Sequence, residues 1–454
     1  MLFNSFPFLL VFLPVVALGN AGLRRVAGPR VAQVWLLAAS LVFYAYPRPE
    51  HLPLLVGSIA FNWLISQFMR GRKALLWLGL GANIALLFSF KYVTFFLGRF
   101  ITAPDWDFPL GVSFFTLTQI MYLVDCWQEL NPPVSLLDHA SAVALFPHVS
   151  SGPIVRVKQI ADQFAAPKPE LAARGLYLFA IGLVKKVVFA DSFATVASAG
   201  FAAVDRASTV EAWAFSLAYT FQIYFDFSGY SDMAVGAAWM LGFDIPQNFR
   251  TPYASRSISE FWQRWHISLS NFITNYLYTP ILRSFRKATL RTSALATLLA
   301  MAIAGLWHGP GWTFIVFGLM HGTALAVNQF WKKSKRKLPR GMGWLLTFLW
   351  VNAAFVVFRS PTLGAAGTML GAMIPHGDVF GTATLGTVLP LTPTIVVRPV
   401  VIGIVLALFF KSSAELADAF TPTVRRAMAT AALLVVSLFF INSSVAKQFV
   451  YFAF

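Results

Sequence analysis

The chain has 454 residues, 57% hydrophobic and 12% charged, against about 25% charged in an ordinary soluble domain; that composition excludes a water-soluble globule and indicates a membrane protein. Lys and Arg outnumber Asp and Glu by 35 to 18. A net charge of +17 would suggest nucleic acid in a soluble protein, but the basic residues lie in short loops between apolar runs, so no nucleic-acid partner is expected.

The first apolar run, 6–20, has the length of a signal peptide but no Lys or Arg before it, and reads as a retained first span. Runs follow at 31–46, 53–69 and 74–98; about 20 such residues cross a bilayer as a helix. The turns holding Arg24, Arg25 and Arg30, then Arg70, Arg72 and Lys73, face the cytoplasm by the positive-inside rule, whereas 47–53 and 99–107 carry less positive bias. This alternation puts the N-terminus outside and makes 1–107 an N-terminal transmembrane region.

From about 108 to 331 apolar segments near 110–128, 171–190, 209–225, 229–243, 293–306 and 311–331 are interleaved with Asp, His, Asn, Gln, Ser and Gly. Ionisable groups in hydrocarbon cost roughly 2.5–3.5 kcal/mol each at a helix centre and are functional candidates by default. In "YFDFSGYSDMAVG" (224–236), Asp226 and Asp232 must pair, protonate or line a polar path; six residues apart, they share a helix face only if Gly229 breaks the helix. In 250–287, Ser257 and Glu260 form a capping box that opens an amphipathic helix at the cytoplasmic interface. Arg264 and His266 break into its polar faces beside Trp262 and Trp265, so His266 serves either as interfacial padding or as a site residue.

The stretch "AGLWHGPGWTF" (304–314) places His308 after Trp307 and before a Gly-Pro-Gly break. A helix climbing from a cytoplasmic residue 292 rises about 24 Å to His308, inside a core of about 30 Å. Non-helical backbone at that depth must be buried in protein or line a cavity, so His308 serves either as a general base that accepts a proton from a hydroxyl or as a core histidine hydrogen-bonded to a neighbouring helix. His321, between Gly318 and Gly322, fits either close helix packing or catalysis. Residues 332–454 return to plain spans at 342–358, 396–410 and 424–441. The basic loops holding Lys332, Lys333, Lys335, Arg336, Lys337, Arg340, Arg425 and Arg426 lie inside; 359–395 and the C-terminus lie outside.

The whole reads as an all-α polytopic membrane protein, one integrated domain of about 10–13 hydrophobic helices with interfacial or re-entrant pieces. Cys126 is the sole cysteine, so no internal disulfide or cysteine-based zinc site is possible. No phosphate loop, metal-ligand cluster or serine elbow is evident, and neither a metal nor a tightly bound cofactor is expected.

The segments "FPLGVSFFTLTQIMYLVDCW" (108–127), "LFPHVSSGPIVR" (145–156), "GLVKKVVFADSFA" (182–194), 221–270, "GLWHGPGWTFIVFGLMHG" (305–322) and "FVYFAF" (449–454) resemble the membrane-bound O-acyltransferase family. Their likeness is to the bacterial branch containing alginate O-acetyltransferase and the D-alanyl transfer protein of teichoic acids. The resemblance implies a catalytic core over 108–331, with helices around a central funnel and a catalytic histidine at its narrowest point. The Trp-His-Gly histidine maps to His308 and the Arg-Trp-His histidine to His266, a second functional position. His321, Asp226, Asp232, Trp307 and Arg264 would support them, and Lys185 and Lys186 would meet donor phosphates at the cytoplasmic rim.

The implied activity is transfer of an acyl, foremost acetyl, group from a cytoplasmic thioester such as acetyl-CoA for O-acetylation of an exported polysaccharide such as alginate. Implied with it are the bacterial inner membrane, surrounding lipid and a periplasmic partner protein. Thr274 and Asn275 stand where relatives often carry an Arg-Asp pair, which bears on donor or carrier contacts. D-alanyl transfer from a carrier protein is the enzymatic alternative; a proton-coupled transporter and a non-catalytic scaffold are the others.

Overall fold

The computed structural model describes residues 1–98, 100, 108–336, 338–375, 377, 379–381, 393–443 and 449–450, and every regular element among them is helical. Lipid offers no hydrogen-bond partners, so a spanning backbone must satisfy itself, and helices do this within one segment. Among the described residues, six helices are long and apolar enough to cross a membrane: Pro7–Val26, Lys73–Lys91, Leu290–His308, Trp312–Lys333, Arg340–Arg359 and Val424–Ile441. Shorter apolar helices are Pro29–Ala45, Leu363–Ala372 and Val400–Phe409. The all-α, multi-pass architecture expected from the sequence is therefore present. Lys337, most of 99–107, 382–392 and 451–454 of "FVYFAF" lie outside the described residues.

The chain forms two compact units built from discontinuous segments, and the polar 108–331 stretch contributes to both. One comprises Met1–Leu183, Tyr230–Gln247 and Ala419–Val435. Its core includes tilted and edge-on rings of Phe3, Phe8, Phe12, Phe43 and Phe146. Gly175 and Gly236 let two helices touch backbone to backbone: a Cβ on either would lie 2.6 Å from the other's carbonyl oxygen.

The second unit comprises Val184–Gly229, Asn248–Asp418 and Val436–Phe454. Its Leu290–His308 helix opens with a capping box in which Thr289 and Thr292 exchange hydrogen bonds, and it closes at Gly309. The next helix begins at Trp312, so the break falls at Gly309–Gly311 as the sequence indicated. The two helices pack through glycines: a Cβ on Gly305 would sit 2.3 Å from the Phe314 carbonyl oxygen, and one on Gly318 2.2 Å from that of Met301.

Three expectations are corrected. The segments 209–225 and 229–243 are one helix, Thr209–Met240, about 48 Å long at 1.5 Å per residue. Gly229 costs only about 1 kcal/mol in a helix interior, which the buried packing on both sides overrides. Asp226 and Asp232 thus remain about 120° apart around the axis. The span 171–190 is instead the Ala172–Val184 helix, a π-helical turn Lys185–Ala190 and the Asp191–Ala202 helix.

The third correction concerns 257–273. Ser257 caps Ile258–Arg264 by accepting from the Glu260 N–H, as expected, but a second helix, Ile267–Phe272, follows after a break. His266 sits at that break in the left-handed region, φ 43°. The exposed donors of the new helix start are taken by Asn248, whose backbone and side-chain oxygens accept from the N–H groups of Ile267 and Ser268 at 3.0 and 3.1 Å.

Candidate active site

The capped start and the Gly309–Pro310–Gly311 stop of its helix put His308 at the last helical position, 5% exposed. Gly309 is required by space: a Cβ there would fall 2.2 Å from the Phe314 ring. The imidazole packs against rings, with Trp307 at 5.0 Å, Phe358 at 5.4 Å and Phe317 at 5.9 Å between centroids. A neutral imidazole is the form that accepts a proton.

Phe317 also packs on His321, at 4.7 Å. His321 Nδ1 accepts a hydrogen bond from Trp262 Nε1 at 3.3 Å, which assigns the ring proton to Nε2. Its ring lies parallel to Phe261, so a contact path runs from His308 through Phe317 to His321 and the Ile258–Arg264 helix. A second path leads from Phe317 through Phe355 to Trp265, the neighbour of His266.

His266 is 1% exposed, edge-on to Phe227 at 4.6 Å, and burial pushes its pKa down to about 3, so it is uncharged at neutral pH. Arg264 pairs with Glu260 at 2.7 Å one turn earlier and reaches the Thr251 carbonyl at 3.5 Å. It therefore braces the helix junction around Thr251.

Lys185 and Lys186, expected at a rim against phosphates, are buried. Lys186 lies 2.7 Å from Asp226 and 3.1 Å from Asp191, so its charge is already countered. Lys185 donates to the Ser413 hydroxyl at 3.1 Å and sits over the Tyr224 ring. Pairing is thus the solution adopted by Asp226. Asp232 is buried on the same helix, in the part belonging to the other unit.

A cavity of about 440 Å³ in the second unit was not foreseen; Trp262, Gln263, Ser270, Asn271, Thr297, Met301 and Gln329 are among its lining residues. One wall is a hydrogen-bonded ladder: Tyr278 and Ser293 hydroxyls at 2.9 Å, Ser293 to Gln329 at 3.1 Å, and Gln329 to Thr297 at 2.8 Å. No lining residue is charged. Thr297 and Met301 precede His308 by eleven and seven residues, so each lies within about 20° of its helix face and about 17 and 10 Å from it along the axis. Polar residues recurring at 293 and 297 inside an apolar run were the available signal.

A model of the MBOAT, membrane-bound O-acyltransferase family matches residues 128–358, which include His266, His308 and His321. The chain belongs to the membrane-bound O-acyltransferase family. It is 40% identical over 422 residues to the peptidoglycan O-acetyltransferase of Helicobacter pylori, covering 82% of this chain and 80% of that protein. To the Pseudomonas aeruginosa protein named "Probable alginate O-acetylase AlgI" it is 39% identical over 399 residues, 83% of this chain and 75% of that one. The teichoic acid D-alanyltransferase of Bacillus subtilis is more distant, 25% identical over 78% of this chain and 97% of that protein. This membrane-bound O-acyltransferase is therefore a multi-pass membrane enzyme that transfers acyl groups to oxygen.

Proposed function

We propose that the protein transfers acetyl groups from a cytoplasmic acyl thioester, such as acetyl-CoA, toward the hydroxyls of an exported polysaccharide, from the bacterial inner membrane. His308 carries the reading: a buried histidine at the end of a helix whose other end joins the basic 283–291 loop, beside a helix break. As the acceptor oxygen attacks the thioester carbonyl, His308 takes the hydroxyl proton. The carbon–sulfur bond then breaks, and the proton passes to the departing thiolate. The neutral cavity on the same helix face fits the amide-bearing pantetheine arm of the donor, with both polar groups and the apolar Met301 and Leu325 in its lining. His266 is the second functional position, and a periplasmic partner completes delivery to the polymer. The names of the two acetylating relatives support an acetyl group and a cell-envelope polymer.

The test compares O-acetyl content of surface polysaccharide in a deletion strain carrying wild-type protein or His308→Ala at matched membrane abundance. Loss of acetyl groups in the variant is the expected result. Full acetylation would remove His308 from the chemistry and favour a scaffold or transporter. Retained acetylation with D-alanyl esters lost would favour D-alanyl transfer.

A further inference from the structure

Asp226 is 1% exposed and stands on the Thr209–Met240 helix with two partners of different kinds. One carboxylate oxygen lies 2.7 Å from Lys186 Nζ, and the other accepts the backbone N–H of Val450 at 2.7 Å, across 224 residues of sequence. Lys186 is held in turn by Asp191 at 3.1 Å. One residue along the helix, Phe227 packs on Phe449 at 5.7 Å and edge-on to His266 at 4.6 Å. The segment is thus attached at two consecutive points in antiparallel order, 226 to 450 and 227 to 449, one polar and one apolar.

We propose that Lys186 and Asp226 form a clamp that docks the 449–450 segment beside His266, making Asp226 a positioning residue for acyl transfer. A buried ion pair often adds no net stability over a well-packed apolar pair. An apolar pair, however, has no oxygen to accept the Val450 N–H. The carboxylate does both jobs because its two oxygens point at two partners, and Lys186 fixes which way they point. With the polar point fixed, Phe449 is seated on Phe227, and Phe227 is held against the His266 ring. The clamp therefore links the segment to the left-handed junction that carries His266. Lys186 is itself buried between the two carboxylates of Asp226 and Asp191.

The test uses the full-length protein in detergent, with Asp226→Asn, Val450→Pro and their double variant, the Val450→Pro effect being read against Val450→Ala, which keeps the amide. Hydrogen exchange of the peptide containing residues 449–450 reads the clamp without any activity. It should be protected in the wild type and exchange about tenfold faster or more in Asp226→Asn. Loss of a hydrogen bond to a charged group should lower acetyl-transfer turnover roughly ten- to hundredfold in each single variant. The double variant should be no worse than the poorer single one, because both changes break one interaction. Equal exchange in wild type and Asp226→Asn, or full turnover in Val450→Pro, would overturn the clamp. The turnover arm alone rests on the acetyl-transfer reading; if His308→Ala retains acetylation while the exchange result stands, that reading fails and the docking does not.

Discussion

Substituting Gly318 with alanine separates the positioning of His308 from its chemistry. The added Cβ would lie 2.2 Å from the Met301 carbonyl oxygen and 3.0 Å from the Gly305 Cα, both backbone atoms of the facing helix, so no side-chain rotation relieves the contact. A carbon–oxygen contact relaxes at about 3.3 Å, which requires the Leu290–His308 and Trp312–Lys333 helices to part by about 1 Å. Such overpacking costs about 1–3 kcal/mol. Gly305 is three residues before His308, while Phe317, adjacent to Gly318, is one of the rings against it, so the displacement falls within the histidine's cage. A misplacement of about 1 Å can cost about a hundredfold in rate. The assay is donor-dependent acetyl transfer by purified protein with the thermal midpoint measured on the same samples. The expected result is a lowered midpoint with turnover down about a hundredfold and donor KM little changed. Gly341→Ala, at an exposed helix position where a Cβ meets nothing within 4 Å, should leave both unchanged. Wild-type turnover and midpoint in Gly318→Ala would refute the claim that close helix approach sets the histidine.

Gln329→Leu removes the ladder bonds to Ser293 and Thr297 on the cavity wall and should raise donor KM about three- to tenfold with kcat retained; an unchanged KM in initial-rate measurements would place the donor arm elsewhere. Burial pushes the pKa of His139 down to about 3, while the unfolded chain protonates near about 6.5. Stability is therefore full above about pH 6.5 and is lost as pH falls toward 3, at about 1.4 kcal/mol per pH unit for this group. His139→Phe keeps a ring against Tyr122 and should flatten the decline of the thermal midpoint between pH 6 and 4. An undiminished slope would assign the acid sensitivity to other groups.

The sequence by itself determined the features that follow from local physics. Hydrophobic runs specify membrane helices because lipid leaves the backbone no other partner. The Gly309–Gly311 stop and the Ser257 cap are legible because turn and cap chemistry acts within a few residues. The family, too, was legible in the motifs around His266 and His308. Tertiary structure decided what depends on distant partners. Packing carried one helix through Gly229, and Asn248 stabilised the break at His266 by accepting from the helix that starts beyond it. Lys186, 40 residues from Asp226, and Val450, 224 residues from it, turned an apparent polar liability into a satisfied carboxylate. The Phe358 ring against His308 likewise comes from a separate helix, Arg340–Arg359, whose contact face no single segment specifies. Periodicity tells which face of a helix is apolar, but which neighbour that face meets is fixed only when the chain closes on itself and the buried charges find their counterparts.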